Sequence, residues 1–297
     1  MNARNWGLLL LLSLLWGSSF FFYKVLVAVL PPVTVVLGRV GIAAVAMNLW
    51  LLAQGQRMPL GGKLWLRFLL LGFLNNTLPF ILIAWGETRI TSGMASILNA
   101  TTPIFMVMVA HWGTHDEKLS FGKALGIAFG VIGVIVLVGP AAFQGVSAIW
   151  GELAVIGASC CYGFGGVYSR RFKDLSPLVA ATGQITGATI LLIPLSLLID
   201  HPWNLPMPGA TVWASLLAIA LINTALAYVV YFRMLATVGV TYISLVTFLI
   251  PVIALLLGAV FLSESVTLGA LAGMAIIALG LASTDERLFR RKKLSEA

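Results

Sequence analysis

Apolar stretches follow one another along almost the whole chain, and short polar connections separate them. Taking about 20 consecutive apolar residues as one crossing of a lipid bilayer, the pattern predicts ten transmembrane helices. We expect them at residues 6–26, 33–53, 66–85, 92–112, 121–138, 150–168, 178–199, 212–232, 241–262 and 268–281. The first stretch continues without a leader-peptide cleavage motif, so we expect it to remain as an uncleaved span.

The composition indicates that lipid is the solvent of this chain. Of the 297 residues, 60% are hydrophobic and only 9% are charged, and the mean hydropathy is +1.02. This leaves too little polar surface for a soluble globule of the same mass. The net charge of +8 does not indicate nucleic-acid binding, because the basic residues stand in small groups between apolar runs and in the tail.

The distribution of basic residues predicts the orientation in the membrane. With a cytoplasmic amino terminus, the predicted outer segments hold Arg89, and Lys24 lies close to that side. The predicted inner segments hold Arg4, Arg57, Lys63, Arg67, Lys118, Lys123, Arg170, Arg171, Lys173, Arg233 and the basic tail 285–297. By the positive-inside rule, we expect a multi-pass protein of the bacterial inner membrane with both termini in the cytoplasm.

The two halves of the chain share a pattern at one offset. Asn76-Thr77 and Asn223-Thr224 lie 147 residues apart (223 − 76), and the same offset relates Gly122 with Gly269, Gly126 with Gly273 and Gly133 with Gly280. We therefore predict a first repeat at residues 1–143 and a second at 144–284. Because each repeat has five crossings, an odd number, the second is expected to be inverted, as in many transporters with a central cavity between two halves.

Several motifs together resemble one transporter family. They are the Trp-Gly-Ser-Ser-Phe stretch at residues 16–20, a proline in the fourth and ninth spans, an acidic residue after each of those spans (Glu117 and Glu264), and the glycine series of the fifth and tenth spans. This set resembles the drug/metabolite transporter superfamily, in particular its EamA-type members with five plus five helices. The resemblance implies an all-α, basket-like fold of ten helices around a central cavity. A narrower similarity to YddG-type exporters of aromatic and other hydrophobic amino acids implies export from the cytoplasm.

Polar side chains inside the predicted spans are candidates for a substrate site, because they are costly in hydrocarbon. Amides offer donors and acceptors together, which suits the ammonium and carboxylate groups of a zwitterion. The alternative role is hydrogen bonding between helices that only holds the bundle together. The candidates are Asn76, Thr77, Asn99, Gln184, Asn223, Thr224, Ser244 and Thr247.

Aromatic side chains and one arginine complete the cavity candidates. Trp16, Phe80 and Tyr228 lie deep in their spans, whereas the tryptophans at span ends fit an interfacial belt. An aromatic lining favours large apolar or aromatic solutes. Arg39 lies about two turns into the second span, and it is interpreted either as a carboxylate-binding residue or as a structural partner.

Prolines and glycines have predicted mechanical roles. Pro79, Pro103 and Pro251 lie inside spans, where a missing N–H kinks a helix and frees carbonyls, either at a hinge beside the site or for packing alone. Close approach between spans is the predicted role of Gly122, Gly126, Gly133, Gly269, Gly273 and Gly280.

The sequence shows no motif that indicates catalysis, a cofactor or a metal. His111 and His115 lack a third ligand nearby, and no phosphate-binding loop is found. No acidic residue is placed securely at mid-membrane, and Glu152 is expected at a helix start near water. Proton-coupled export of organic cations is therefore disfavoured, since it usually needs a carboxylate at that depth.

These patterns predict a secondary transporter that exports small amphiphilic metabolites, above all aromatic or other hydrophobic amino acids, by alternating access. The expected partners are a small-molecule substrate and the lipid bilayer, without nucleic acid, and the expected state is a monomer or weak homodimer. One alternative is a carrier for an organic cation, a purine or a sugar phosphate. A more remote alternative is a membrane scaffold without transport.

Overall fold

A computed structural model describes residues 3–113, 121–138, 146–238 and 246–283, and the regular elements in these ranges are helices. The α-helices are α1 Ala3–Val27, α2 Pro32–Ala53, α3 Gly62–Gly72, α4 Leu78–Glu87, α5 Ser92–Asn99, α6 Thr102–Gly113, α7 Phe121–Val138, α8 Val146–Ser169, α9 Pro177–Ile199, α10 Ala210–Leu217, α11 Ala227–Val238, α12 Val246–Phe261 and α13 Leu268–Ser283. The predictions for His115, Glu117, Ser244 and the basic tail lie outside the described residues.

Seven helical stretches in the described ranges are long and apolar enough to cross a membrane, and three further apolar helices are shorter. The long stretches are Arg4–Val27, Pro32–Ala53, Gly62–Glu87, Ser92–Trp112, Val146–Phe172, Pro177–Ile199 and Ala210–Tyr231; the shorter ones are Ala124–Val136, Leu249–Phe261 and Leu268–Gly280. The chain is therefore a multi-pass membrane protein, and its regular structure in the described ranges is helical. The count of ten spans and the inversion of the second repeat remain predictions.

Two of the long stretches change from α-helix to π-helix near their middle. Phe73–Thr77 joins α3 to α4, and Ala218–Leu226 joins α10 to α11. A π-helical turn widens the helix and is frequent at functional sites. The paired Asn-Thr motifs at 76–77 and 223–224 fall inside these two segments, so the offset seen in the sequence relates two places with the same local structure.

The three prolines have different effects on their helices. Pro103 lies at the start of α6, and the turn between α5 and α6 is stabilised because the hydroxyls of Thr101 and Thr102 donate to the carbonyls of Leu98 (2.6 Å) and Asn99 (2.8 Å). Pro251 lies inside α12 without ending it. Pro79 follows the first π-helical segment, in the first turn of α4.

Glycines allow close packing between α7 and α13. A Cβ atom at Gly133 would lie 2.7 Å from Ile277 Cγ1, and one at Gly280 would lie 2.9 Å from the Gly126 carbonyl oxygen. Both helices therefore approach to a distance that only a residue without a side chain permits. Gly122, Gly126 and Gly273 are buried as well, and Gly269 is half-buried.

One end of the bundle is fastened by polar contacts between helices, and we call it the Lys24 end. The Lys24 ammonium donates to the carbonyls of Glu87 (2.6 Å) and Ile90 (2.7 Å). Asp200, after α9, accepts hydrogen bonds from the backbone N–H (2.6 Å) and hydroxyl (2.8 Å) of Thr34 in α2. Glu264 accepts from the N–H and hydroxyl of Ser92, at 2.9 and 2.8 Å. These contacts join α1 to the end of α4, α2 to the end of α9, and α5 to the segment before α13.

One expectation about a charged residue at this end was wrong. Glu152 is 2% exposed rather than near water. Its helix begins at Val146, four residues before the predicted start at 150, so Glu152 lies more than one turn inside the packed bundle.

Candidate functional site

Arg39 of α2 is the central feature of the candidate site. Its side chain is 6% exposed, and its Nε donates to the hydroxyl of Thr224, at 3.0 Å, in the second π-helical segment. The guanidinium carbon lies 4.0 Å from the ring centre of Phe80 and 5.0 Å from that of Tyr23. Aromatic faces stabilise a cation that has lost most of its water, so the buried charge of Arg39 is supported without a hydrogen-bonded carboxylate among the described residues.

Two aromatic rings lie over this guanidinium and a third packs against one of them, and we call the three the aromatic cluster: Tyr23 of α1, Phe80 of α4 and Tyr162 of α8. The ring centres of Tyr23 and Phe80 are 6.3 Å apart, and those of Phe80 and Tyr162 are 6.5 Å apart, both edge to face. Edge-to-face packing fixes the rings in place. The cluster therefore joins the predicted first and second repeats around one cation.

Next to the cluster runs a series of polar side chains, the amide chain: Asn75, Asn76, Gln184 and Tyr228. The Asn75 amide donates to Gln184 Oε1 at 3.2 Å, and Gln184 Nε2 donates to the Tyr228 hydroxyl at 2.9 Å. Asn76 lies beside Tyr228 and is fully buried, yet neither of its polar atoms has hydrogen-bond geometry with a described protein group. Such an amide is available to a ligand, since a buried polar group without a partner is costly.

Asn75 is accommodated by a glycine of α8. A Cβ atom built at Gly165 would overlap the Asn75 side-chain oxygen. The absence of a side chain at Gly165 is therefore what lets Asn75 turn towards Gln184.

A second polar group ties α1 to the second π-helical segment. Asn223 Nδ2 donates to the carbonyl of Leu15 and, at 2.8 Å, to the hydroxyl of Ser18. The Thr224 hydroxyl donates to the Ile219 carbonyl five residues earlier, at 2.8 Å. One turn away, the rings of Trp16 and Tyr231 lie 5.7 Å apart. These contacts fix the wall of the bundle that faces Arg39.

The structure brings most of the predicted site residues into three groups. Arg39, Phe80 and Thr224 meet directly, whereas Asn76, Gln184 and Tyr228 form the neighbouring amide chain, and Asn223 and Trp16 belong to the α1 contact. Thr77 is 3% exposed, and its hydroxyl has no described partner. Asn99, at the end of α5, is half-buried, and its side-chain oxygen is buried without a described partner.

Sequence reasoning passed over one member of the amide chain, Asn75, and one buried acid outside the site, Glu87. Asn75 precedes the matched Asn-Thr pair and has no counterpart at the 147-residue offset, so the repeat pattern did not select it. Glu87 ends α4 and is 0% exposed. A carboxylate at the end of an apolar stretch has the sequence signature of a water-facing residue, and only the tertiary packing covers it.

An open groove of about 520 Å³ lies at the opposite end of the bundle, which we call the Arg171 end. Its walls are the first π-helical segment, α6 and α8, and its lining is Leu74, Val109, Trp112, Phe164, Val167, Tyr168, Arg170 and Arg171. None of the predicted cavity residues lines this groove. In this conformation those residues pack against one another, so the groove and the Arg39 site are separate spaces.

Known proteins resemble this chain over nearly its whole length. The sequence profile of the EamA-like transporter family matches residues 5–139 and again residues 149–284. An uncharacterized transporter of Bacillus subtilis, YoaV, is 26% identical over 282 residues, which cover 94% of this chain and 96% of YoaV. The uncharacterized inner membrane transporter YedA of Escherichia coli is 25% identical, with 85% of this chain and 81% of YedA covered.

Two further similarities bear on function class and fold. A probable amino-acid metabolite efflux pump of Salmonella typhimurium is 27% identical over 95% of this chain and 94% of its own length. One protein crystal structure has a TM-score of 0.69 at 17% identity, covering 96% of this chain and 98% of that one, which is a likeness of fold alone. The matched family and the named relatives are transporters rather than enzymes.

Proposed function

This chain belongs to the EamA-like transporter family, and on that premise we propose that it is a secondary transporter that exports small amphiphilic metabolites. The proposed substrates are aromatic or other hydrophobic amino acids, and the proposed location is the bacterial inner membrane, with both termini in the cytoplasm. The name of the Salmonella typhimurium relative, a probable amino-acid metabolite efflux pump, supports this substrate class.

The observation that carries the proposal is the buried Arg39 guanidinium. Its Nε donates to the Thr224 hydroxyl, and among the described residues no carboxylate is hydrogen-bonded to the guanidinium. A guanidinium presents donors in a planar fork that matches a carboxylate, and such charge-assisted bonds are strong in a low-dielectric site. The carboxylate of an amino acid is therefore the group that we assign to Arg39.

The surroundings of Arg39 suit the rest of such a molecule. The buried side-chain oxygen of Asn76 and the hydroxyl of Tyr228 are acceptors that suit an ammonium group. The rings of the aromatic cluster, and those of Trp16 and Tyr231 nearby, offer an apolar surface for a large side chain. A sugar phosphate would need several converging cations, and Arg39 is the single cation that the described residues place within the aromatic cluster.

Alternating access follows from the proposed inversion of the two repeats. The π-helical segments, one in each half, lie beside the site at matching positions and are natural places for the halves to bend. We assign the Lys24 end to the outside, where it is closed by polar contacts, and the Arg171 end to the cytoplasm, because Arg170 and Arg171 lie there.

Counter-flow in proteoliposomes tests the proposal. Purified protein is reconstituted with unlabelled phenylalanine inside, and uptake of labelled phenylalanine is compared with that of its methyl ester and its amide. We expect exchange of the free amino acid and at least about tenfold less exchange of both derivatives, since each lacks the carboxylate that pairs with Arg39.

Arg39→Gln should abolish the preference for free phenylalanine over its methyl ester and amide. Arg89→Gln is the matched control. Arg89 is a second arginine stacked on an aromatic ring, 3.6 Å from that of Trp85, but it lies in the loop before α5 and outside the site. Equal exchange of phenylalanine and its methyl ester would contradict carboxylate recognition by Arg39. Absence of counter-flow with every amino acid would overturn the amino-acid proposal itself.

A further inference from the structure

Glu87 is a buried acid at the Lys24 end, and the proposed substrate site does not use it. It is the last residue of α4 and is 0% exposed. Both carboxyl oxygens are buried without a hydrogen-bond partner among the described residues. The Glu87 backbone carbonyl, by contrast, accepts a hydrogen bond from Lys24, so the main chain at this position is satisfied and the side chain is not.

The charged and titratable groups that face Glu87 come from three other elements. They are Tyr23 and Lys24 of α1, Arg39 of α2 and Glu264 before α13. The hydrogen bonds of the three charged groups go elsewhere: Lys24 to two carbonyls, Arg39 to Thr224 and Glu264 to the start of α5. Two cations are therefore close enough to act on the Glu87 carboxyl without being bonded to it.

A carboxylate ion in this position would be severely destabilised. A buried anion needs hydrogen bonds or a paired cation to replace its lost water, and among the described residues Glu87 has neither. A protonated carboxylic acid at the same place has no net charge to compensate. The packing of the closed Lys24 end therefore fits the neutral form, whereas an open Lys24 end would admit water and allow the anion to form beside Lys24.

We propose that Glu87 is the proton-binding site that couples export to the inward proton gradient. The inference rests on the proposed function, to which it adds the coupling ion. When the Lys24 end is open, one proton from external water binds a carboxyl oxygen of Glu87, and the side chain changes from charge −1 to neutral. The neutral side chain allows this end to close.

The proton leaves towards the cytoplasm in the second half of the cycle. Arg39 of the substrate site also acts electrostatically on Glu87, so water that enters when the Arg171 end opens reaches the neighbourhood of both groups. Glu87 then transfers its proton to this water and becomes an anion, which favours reopening of the Lys24 end once substrate is bound. Each cycle moves one proton inward and one substrate outward. The two movements are coupled because proton binding and substrate binding shift the same equilibrium between the two conformations.

Two transport measurements test this inference and the proposed function separately. Counter-flow of labelled phenylalanine needs no proton gradient, whereas accumulation of label in vesicles with an acidic lumen, at clamped zero potential, requires coupling. We expect the wild-type protein to do both, with accumulation up to about tenfold for each unit of pH difference in one-for-one exchange. Glu87→Gln, a neutral analogue of the protonated acid, should keep counter-flow within about twofold and lose the accumulation.

Glu152→Gln is the matched control variant. Glu152 is also buried near the Lys24 end, but it is not among the charged groups that act on Glu87. We expect this variant to accumulate label as the wild type does. Wild-type counter-flow without accumulation, accumulation by Glu87→Gln, or loss of counter-flow in folded Glu87→Gln would each overturn the role of Glu87. Absence of wild-type counter-flow would instead overturn the proposed function.

A measurement on the unmodified protein makes the test independent of variants. Dicyclohexylcarbodiimide enters apolar protein interiors and reacts with protonated carboxyl groups. We expect peptide mass spectrometry to find Glu87 labelled and the rate of labelling to fall as pH rises, while Glu264, whose carboxylate is hydrogen-bonded to Ser92, stays unlabelled. Protein in which Glu87 remains unlabelled at acidic pH would contradict the proposal.

Discussion

Asn223 and the Gln184–Tyr228 pair show that polar side chains inside this bundle have different roles. Asn223 joins α1 to the second π-helical segment through its bonds to Leu15 and Ser18. Gln184 and Tyr228 also bridge two helices, but they do so beside Arg39 and the unpaired Asn76. At the scale of residues, Asn223 thus serves mainly the packing of the bundle, and the amide chain serves the site.

Asn223→Ala should lower stability more than it lowers substrate affinity. Loss of two hydrogen bonds within the bundle is expected to cost about 0.5–2 kcal/mol, seen as a lower melting temperature in detergent. Tyr228→Phe removes one hydroxyl beside the site, so its melting temperature should stay closer to wild type while the half-saturating phenylalanine concentration rises. An Asn223→Ala protein with unchanged melting temperature and weakened counter-flow would contradict this division.

The sequence identified most polar members of the site but not their partners. Arg39 and Thr224 were both candidates because each is a costly residue in hydrocarbon, yet their mutual hydrogen bond depends on how α2 packs against the second π-helical segment. Glu87 was missed for the same reason. Its burial is created by neighbours from α1 and from the segment before α13, which are far away in sequence.

At the scale of elements, the hydrophobic pattern of the sequence predicted where the helices lie better than where each helix begins and ends. The matched Asn-Thr pairs fall in π-helical segments in both halves, although only the first is followed by a proline, Pro79. Pro103 separates two helices, whereas Pro251 does not. The two prolines look alike in sequence, and before Pro103 the hydroxyls of Thr101 and Thr102 satisfy two carbonyls at the break.

The contact between α7 and α13 gives a prediction at this scale. Gly133→Val would place side-chain atoms against Ile277 and the Gly273 carbonyl, both within about 3 Å of the new Cβ atom. Such overpacking is expected to cost about 1–3 kcal/mol, measured as a lower melting temperature. Gly7→Val is the control, because no atom lies within 4 Å of a Cβ atom there; equal melting temperatures of the two variants would contradict the packing role.

At the scale of the whole molecule, the two ends of the bundle differ. The Lys24 end is held by the contacts of Lys24, Thr34 with Asp200, and Ser92 with Glu264, whereas the Arg171 end carries the open groove. Glu264 binds the N–H groups at the start of α5, where a negative charge is stabilised by the helix dipole. Closure of the Lys24 end therefore depends on contacts that a single substitution can weaken.

Glu264→Gln should increase access to the site from the Lys24 end. The variant is combined with Asn76→Cys in a background with Cys160→Ala and Cys161→Ala, and labelling of intact cells by an impermeant thiol reagent is measured. We expect faster labelling than with Glu264 intact, because glutamine keeps the shape but loses the charge-assisted bonds. Ser176→Ala, which removes a contact with Gln56 at the Arg171 end, should leave the rate unchanged. Lack of labelling in every variant would favour a membrane scaffold, whose interior is filled by side chains, over a carrier with a water-accessible cavity.

The fit of Asn75 against Gly165 has an evolutionary consequence. Since any side chain at position 165 would occupy the volume of the Asn75 amide, the two positions share one space on facing helices. Homologues that carry alanine or serine at 165 should have a smaller residue at 75, and they should consequently lack the bond to Gln184. Substrate preference in this lineage is thus expected to diverge through paired changes at these two positions.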